Sequence, residues 1–362
     1  MSAVPSQLET PRPTSATPAL QRQTRRFAAV SSVTLLAAMV ASIFLMPLVY
    51  VAATAFKDQS QLTAPDAPLY PASPETYTYE GEEYPVYDVP TDAGLKAWAL
   101  IEPHREDSLF IDPQNPDAGP IRWVGRWRTL EQHWSLDLNL GNFAAAWETL
   151  EFPRLFFNTF AIAGLSTLGA VVSGICVAYG FSRFRFPGRN GLFLLMLATI
   201  ILPFQVTLIP TYAVFLALGW VGTWLPLIVP HFFANAYNVF LLRQYFLTLP
   251  RELDEAAMID GAGPLRILRS VIVPQAIPAI VAVSLFHFFW AWNEYFLPLI
   301  YLQSQPDLQP LAVGLARFNA LYSQEPTLIQ AAAILAMALP IAVFFVAQRA
   351  FMRGVVITGV DK

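Results

Sequence analysis

Charge and sulfur are scarce in this chain: 13% of its 362 residues are charged, one is cysteine and four are histidine. A single thiol excludes a disulfide framework and a thiolate metal centre, and Cys176 sits inside an apolar run, where packing is its expected use. His104 and His133 lack metal-ligand spacing, and no metal is expected. No G-x-x-x-x-G-K-[ST] run occurs, and Gly261-Ala262-Gly263 is followed by Pro264, so the chain carries no phosphate-cradling loop of its own. The apolar segments also lack the paired carboxylates or histidine clusters that intramembrane catalysis needs, and no enzyme is expected. A net charge of −4 is modest and unevenly spread, so its sign says little until it is divided by side of the membrane; no nucleic-acid partner is expected.

What is abundant is oil. Hydrophobic residues make up 55% of the chain, and several uncharged apolar runs exceed the ~20 residues that cross a bilayer. The expectation is an all-α polytopic membrane protein of six transmembrane helices, embedded in lipid, with a small β-rich extracytoplasmic insertion between the first helix and the second. Residues 1–26, rich in Pro, Ser, Thr and Gln, read as a flexible tail ending on Arg22, Arg25 and Arg26. Residues 27–56 form an apolar run of 30, too long for the ~7–15-residue core of a secretory signal, and read as an uncleaved first span. Residues 57–154 differ in kind, with 17 Asp and Glu against 7 Lys and Arg. There Tyr77–Tyr79 and Tyr84–Tyr87 flank Glu80-Gly81-Glu82-Glu83, a hairpin signal, with further strand candidates at 95–101 and 121–129. Asn142–Trp147 reads as a short helix.

Residues 155–351 supply five more spans: 156–181, 192–218 with Pro203 and Pro210 inside it, a fourth from the Gly219–Gly222 turn to about Leu242, 276–302 and 328–350. Residues 352–362 form a second tail. Lys and Arg in short loops decide orientation. Segments 1–26, 183–190, 243–274 and 349–362 hold 14 Lys/Arg and 6 Asp/Glu, whereas 57–154 and 303–327 hold 8 and 19. The first set belongs in the cytoplasm, and both termini with it.

The loop 244–274 interrupts this apolar core, and Pro250–Pro274 within it predicts a helix, a turn and a second helix. Pro250 suits a first helical turn, and Glu252, Asp254 and Glu255 favour a helix N-terminus. Gly261 ends the helix, Pro264 opens the next, Leu265, Leu268 and Ile272 share its apolar face, and Pro274 stops it. An exposed Glu255-Ala256-Ala257 offers a partner's groove small side chains and one orienting carboxylate.

Glu255-Ala256-Ala257, three residues, Gly261, nine residues and then Val271-Ile272-Val273-Pro274 resembles the EAA loop of ABC-importer permeases, with Val271 in place of Ile and Val273 in place of Leu. Phe157-Asn158-Thr159, Tyr179–Arg189, Ala291-Trp292-Asn293-Glu294, Arg353-Gly354 and Gly359-Val360 extend the resemblance to the maltose-type carbohydrate-uptake permeases over 142–362 and the first span. It departs at 70–135, where that family generally has a short periplasmic connection. The resemblance implies one permease subunit of a bacterial inner-membrane importer, working by alternating access beside a second permease subunit. It also implies a cytosolic ATPase dimer, which uses the ATP and Mg, and an extracytoplasmic sugar-binding protein. Glu255 would pair with a basic group on the ATPase, Ala256 and Ala257 would allow close docking, and Gly261 would permit the turn. Residues 303–327 would reach toward the binding protein. The acidic insertion would add a second docking surface or cap the partner permease.

Glu294 is the one ionisable carboxylate within a span, and such groups usually face a cavity or a partner. Beside Trp290, Trp292 and Asn293, it suits a sugar's ring faces and hydroxyls. The substrate-path candidates are Gln205, Asn235, Trp292, Asn293 and Glu294, while His231, Asn238 and His287 suit hydrogen bonds between helices. The alternative is a secondary transporter driven by an ion gradient through Glu294.

Overall fold

The computed structural model describes residues 17–356, with side chains described for 23–348. Most of the expected tails at 1–26 and 352–362, the side chains of Arg353-Gly354 and all of Gly359-Val360 lie outside the described residues. The chain divides into two units, 1–52 and 53–362. The first contributes nearly all of helix α1 (Thr17–Ala55), whose residues 23–55 are long and apolar enough to cross a membrane. Leu36, Ile43, Phe44 and Tyr50 are exposed within this unit. Apolar side chains all round a helix require lipid or a partner as their solvent.

The second unit opens with α2 (Gln59–Thr63) and a β-rich module. Strands β1 (Ala72–Pro74) and β8 (Trp134–Leu136) pair antiparallel at its root. Between them β2 (Thr76–Tyr79), β3 (Glu82–Thr91), β4 (Gly94–Glu102), β5 (Asp107–Ile111) and β6 (Ile121–Val124) form an antiparallel meander, and β7 (Glu131–Gln132) pairs with β3. The expected hairpin turns on Glu80 and Gly81, with φ of 53° and 90°, the two-residue geometry that follows strand twist. Residues 127–129 form a helical turn, so the strand expected at 121–129 is shorter. Alternate side chains of the meander build two small cores, Val89, Trp98, Leu100 and Phe110 on one face and Val86, Ala99 and Ile111 on the other. At the root, Asn139 N–H donates to Phe56 O at 2.9 Å, and Asn142 Nδ2 donates to Ala55 O and Lys57 O at 2.9 and 2.8 Å.

The helical part continues as α3 (Gly141–Thr149), α4 (Phe152–Arg183), α5 (Arg189–Ala198), α6 (Phe204–Ala217), α7 (Leu225–Ile228), α8 (Ala236–Thr248), α9 (Glu252–Ile259), α10 (Pro264–Ile267), α11 (Val273–Gln275), α12 (Ile277–Trp292), α13 (Phe296–Tyr301), α14 (Leu311–Leu321) and α15 (Pro326–Val356). Among the described residues four helices are long and apolar enough to cross a membrane, or six if each of two bent pairs is one span. The span expected at 192–218 bends by 99° between Ile201 and Phe204. Pro203 supplies no N–H there and drives Leu202 extended (ψ 118°). The span expected at 276–302 ends as a helix at Trp292, and the polar segment expected at 303–327 contains α14, with Leu311, Val313 and Phe318 buried.

Helix α4 is the axis of this part. Ala170, Gly174 and Ala178, four apart, are buried, and a Cβ at Gly174 would lie 3.4 Å from Leu242 of α8. Small residues at that spacing let helices approach closely in lipid. At Gly169 the Phe232 ring comes within 2.5 Å of the place a Cβ would take. Ser173 Oγ accepts from Ala234 N–H at 3.1 Å and lies 3.1 Å from His231 O, filling the break between α7 and α8 where Ala234 has φ 63°. Cys176, expected to be packed, is exposed on the far side of the same helix.

Candidate functional site

Two regions of the second unit carry polar groups with work to do: the elbow from α9 to α11 and a cavity among α6, α7, α12 and α13. In the elbow Pro250 precedes α9 rather than opening it. Gly261 N–H donates to Met258 O at 3.0 Å and Ala262 N–H to Ala257 O at 2.9 Å, a paired closure that needs a left-handed residue at Gly261 (φ 77°). Pro264 begins α10 as expected. Pro274 does not stop the second helix: a π-turn over Leu268–Ile272 absorbs its missing N–H, α11 runs through it, and an 81° bend into α12 follows Gln275. Ile267, Leu268 and Ile272 are buried as one face, while Leu265, in the first turn of α10, is 80% exposed.

Adjacent acids on α9 meet opposite fates. Glu255 and Ala256 are exposed, beside exposed Leu253, Met258 and Ile259, whereas Ala257 is half-buried against the core beneath. Asp254 is buried, its Oδ2 2.8 Å from Arg183 Nε at the end of α4, and Arg183 Nη2 donates to Leu249 O at 3.1 Å. Tyr179 Oη donates to Pro264 O at 3.2 Å. Arg243 Nε donates to Phe181 O at 3.3 Å, with its guanidinium carbon 4.1 Å from the centre of the Phe193 ring. The elbow is thus fastened to α4 on one side and bare on the other. The Arg183–Asp254 pair was not read from the sequence, where Arg183 counted as a loop charge and Asp254 as a helix-start acid.

The cavity, of about 510 Å³, is lined by an α6 stripe that includes Phe204, Thr207 and Thr211, and by His231, Trp290, Glu294 and Tyr301. An adjoining void of about 20 Å³ brings in Thr159, Ile162 and Ser166 of α4. Apolar walls with several aromatic rings and a few polar groups suit a small hydroxylated solute. Glu294 Oε1 accepts from Phe296 N–H at 3.0 Å and Leu297 N–H at 3.1 Å, capping α13. The His231 ring of the wall meets that of His287 behind it edge to face, with centres 4.8 Å apart, and Asn238 Nδ2 lies 3.3 Å from His287 Nδ1.

Of the five substrate-path candidates, the structure places only Glu294 on this cavity. Trp292 is buried in the core against Phe156 and Phe288, because two helical positions turn about 200° and point it away from Trp290. Gln205 is exposed and lies off the α6 stripe at 204, 207, 208, 211 and 215. Asn235 caps α8, accepting from Tyr237 N–H at 2.9 Å. Asn293 is exposed and turns back to donate to Phe289 O at 2.8 Å. The i, i+4 relation of Trp290 and Glu294 was the available signal for the right tryptophan.

Apolar helices around a cavity, with an exposed helix–turn–helix on the same frame, are the parts of a membrane transport permease, and the family match gives the class. Residues 170–357 match the family described as "Binding-protein-dependent transport system inner membrane component". The chain belongs to that family, the permeases of ABC importers, as its EAA spacing implied. It is 34% identical over 254 residues, 68% of this chain and 83% of the relative, to the osmoprotective compounds uptake permease protein GgtD of Synechocystis sp.. It is 36% identical over 211 residues, 58% of this chain and 74% of the relative, to the sn-glycerol-3-phosphate transport system permease protein UgpE of Agrobacterium fabrum. A bacterial ABC transporter involved in import of the acidic polysaccharide alginate shares the fold, with a TM-score of 0.63 at 20% identity over 91% of this chain and 98% of that one.

Proposed function

We infer that the chain is one of two permease subunits of an importer for sugars or related polyols, moving its cargo by alternating access. The observation that carries the reading is the elbow: an exposed Glu255-Ala256 surface with apolar neighbours, fastened by the buried Arg183–Asp254 pair to the helix whose other half lines the small void adjoining the cavity. A cytosolic ATPase dimer, using ATP and Mg, would seat that surface in a groove. Its closure would move α9, and α4 with it. Glu255 orients the contact, Ala256 and Ala257 permit close approach, and Gly261 holds the turn. Both termini and the elbow face the cytoplasm, while the β-rich module and α14 face the extracytoplasmic binding protein. The relatives' names, one for osmoprotective compounds and one for sn-glycerol-3-phosphate, support a small hydroxylated cargo of the polyol kind, and the cavity with Glu294 is its proposed path.

The reading is tested by ATP-dependent uptake in proteoliposomes holding the co-purified complex and binding protein. Gly261→Asp and Glu255→Lys are expected to lose both bound ATPase and uptake. Uptake that persists without any ATPase and follows a proton gradient would replace this reading with a secondary transporter. Glu294 argues against that outcome, since one carboxylate oxygen already holds two backbone N–H groups.

A further inference from the structure

The β-rich module takes no part in the coupling just described, and its charge is lopsided, with 17 acidic against 7 basic side chains over 57–154. Yet three of those seven, Arg105, Arg126 and Arg128, converge on one cavity of about 770 Å³. It lies between the β4–β5 connection (103–106) and the turn after β6 (126–129). None of the three makes an ion pair among the described residues. All three are exposed and solvated singly without cost, so what sets them apart is their gathering at one concavity of an acidic module.

The walls are built rather than loose. Gly125 N–H donates to Glu106 O at 2.7 Å, joining them, and the Trp123 ring lies 2.3 Å from where a Gly125 Cβ would be, so no other residue fits at φ 155°. Thr129 Oγ1 donates to Arg126 O at 2.8 Å, closing the second wall, and Ser108, itself buried, accepts from His104 N–H at 3.0 Å in the first. The Arg128 guanidinium carbon stands 5.2 Å from the centre of the Trp127 ring, which is held edge-on by Tyr87 at 6.0 Å. Guanidinium forks match carboxylate and phosphate oxygens two at a time. Glu106 and His104 on the rim offer partners for hydroxyl groups.

We propose that this cavity binds a small carboxylate- or phosphate-bearing sugar through Arg105, Arg126 and Arg128. The site stands apart from the transport reading, and it survives or fails without it. Its volume lies within the ~300–1,000 Å³ typical of small-molecule sites.

The test is calorimetric titration of the full-length chain in lipid nanodiscs with glucuronate, glucose 6-phosphate and glucose. Saturable binding is expected for the two anions and not for glucose. Replacing the three arginines together by alanine is expected to weaken anion binding at least ~10-fold, about the loss of one charge-assisted hydrogen bond or more. Arg126→Ala alone serves if the triple variant does not fold. Arg122→Ala removes the same charge from a side chain paired with Asp107 outside the cavity, and should leave affinity unchanged. Binding of glucose as strong as that of glucuronate, or equal weakening by Arg122→Ala, would overturn the site. So would a failure of both anions to bind, which would leave the patch as a docking surface for an acidic protein.

Discussion

The two ends of α4 are each tied by an arginine to a carboxylate, and the ties differ in kind. At the module end Arg154 pairs with Glu151 and Asp307, whose side chains are 59% and 78% exposed. At the elbow end Arg183 and Asp254 are 7% and 12% exposed. In water such a pair contributes ~0–1 kcal/mol, because screening and side-chain entropy offset the attraction. Out of water, removing either partner strands the other charge, at about 3–5 kcal/mol. The module end is held by shape and hydrogen bonds instead. A Cβ at Gly314 would lie 2.2 Å from Leu155 Cδ1, Asn158 Nδ2 donates to Asp307 O and Gln309 O at 2.7 and 2.9 Å, and Thr159 Oγ1 accepts from Leu311 N–H at 2.7 Å. The same kind of ion pair is a fastener at one end and a surface detail at the other.

Asp254→Ala should have the largest effect, lowering stability by about 3–5 kcal/mol in thermal unfolding of the purified chain. Replacing both partners by apolar residues, Arg183→Met with Asp254→Leu, should recover most of that loss, since no charge is then stranded. A single variant as stable as the native chain would erase the contrast between the ends. Gly314→Ala comes next, at about 1–3 kcal/mol from overpacking against Leu155, read in the same unfolding assay. Asp307→Ala is the smallest, within ~1 kcal/mol, because its backbone carbonyl keeps the bond from Asn158. A loss comparable to that of Asp254→Ala would show that the module end also depends on charge.

Much of this was legible in the sequence, for identifiable reasons. The Glu80-Gly81 turn and the closure at Gly261 are local: a residue forced to positive φ announces itself within four positions. The apolar helices were legible from composition, but their bends were only partly so. Pro203 breaks its helix while Pro210 lies within α6, because a proline's effect depends on what replaces the lost N–H. Strand β5 was missed, its five residues DSLFI being too short to show a period. Arg183 and Asp254 come together only through the packing of α4 and the elbow, which no local pattern encodes. Trp290 and Trp292 are chemically equal in sequence and differ only in the direction a helix gives them.

The β-rich module leaves and re-enters the helical part through one narrow doorway. Phe56 and Asn139 are joined there by a backbone hydrogen bond of 2.9 Å, and Asn142 clasps Ala55 and Lys57 just beside it. A segment whose two ends already touch adds almost no closure entropy when its length changes. Residues 64–138 are therefore a detachable cassette in the architectural sense, while Gln59 before them donates to Gln324 O at 2.7 Å and stays with the helical part. They can be shortened to a tight connection, or exchanged for another domain, with the threshold left standing on Phe56, Asn139 and Asn142.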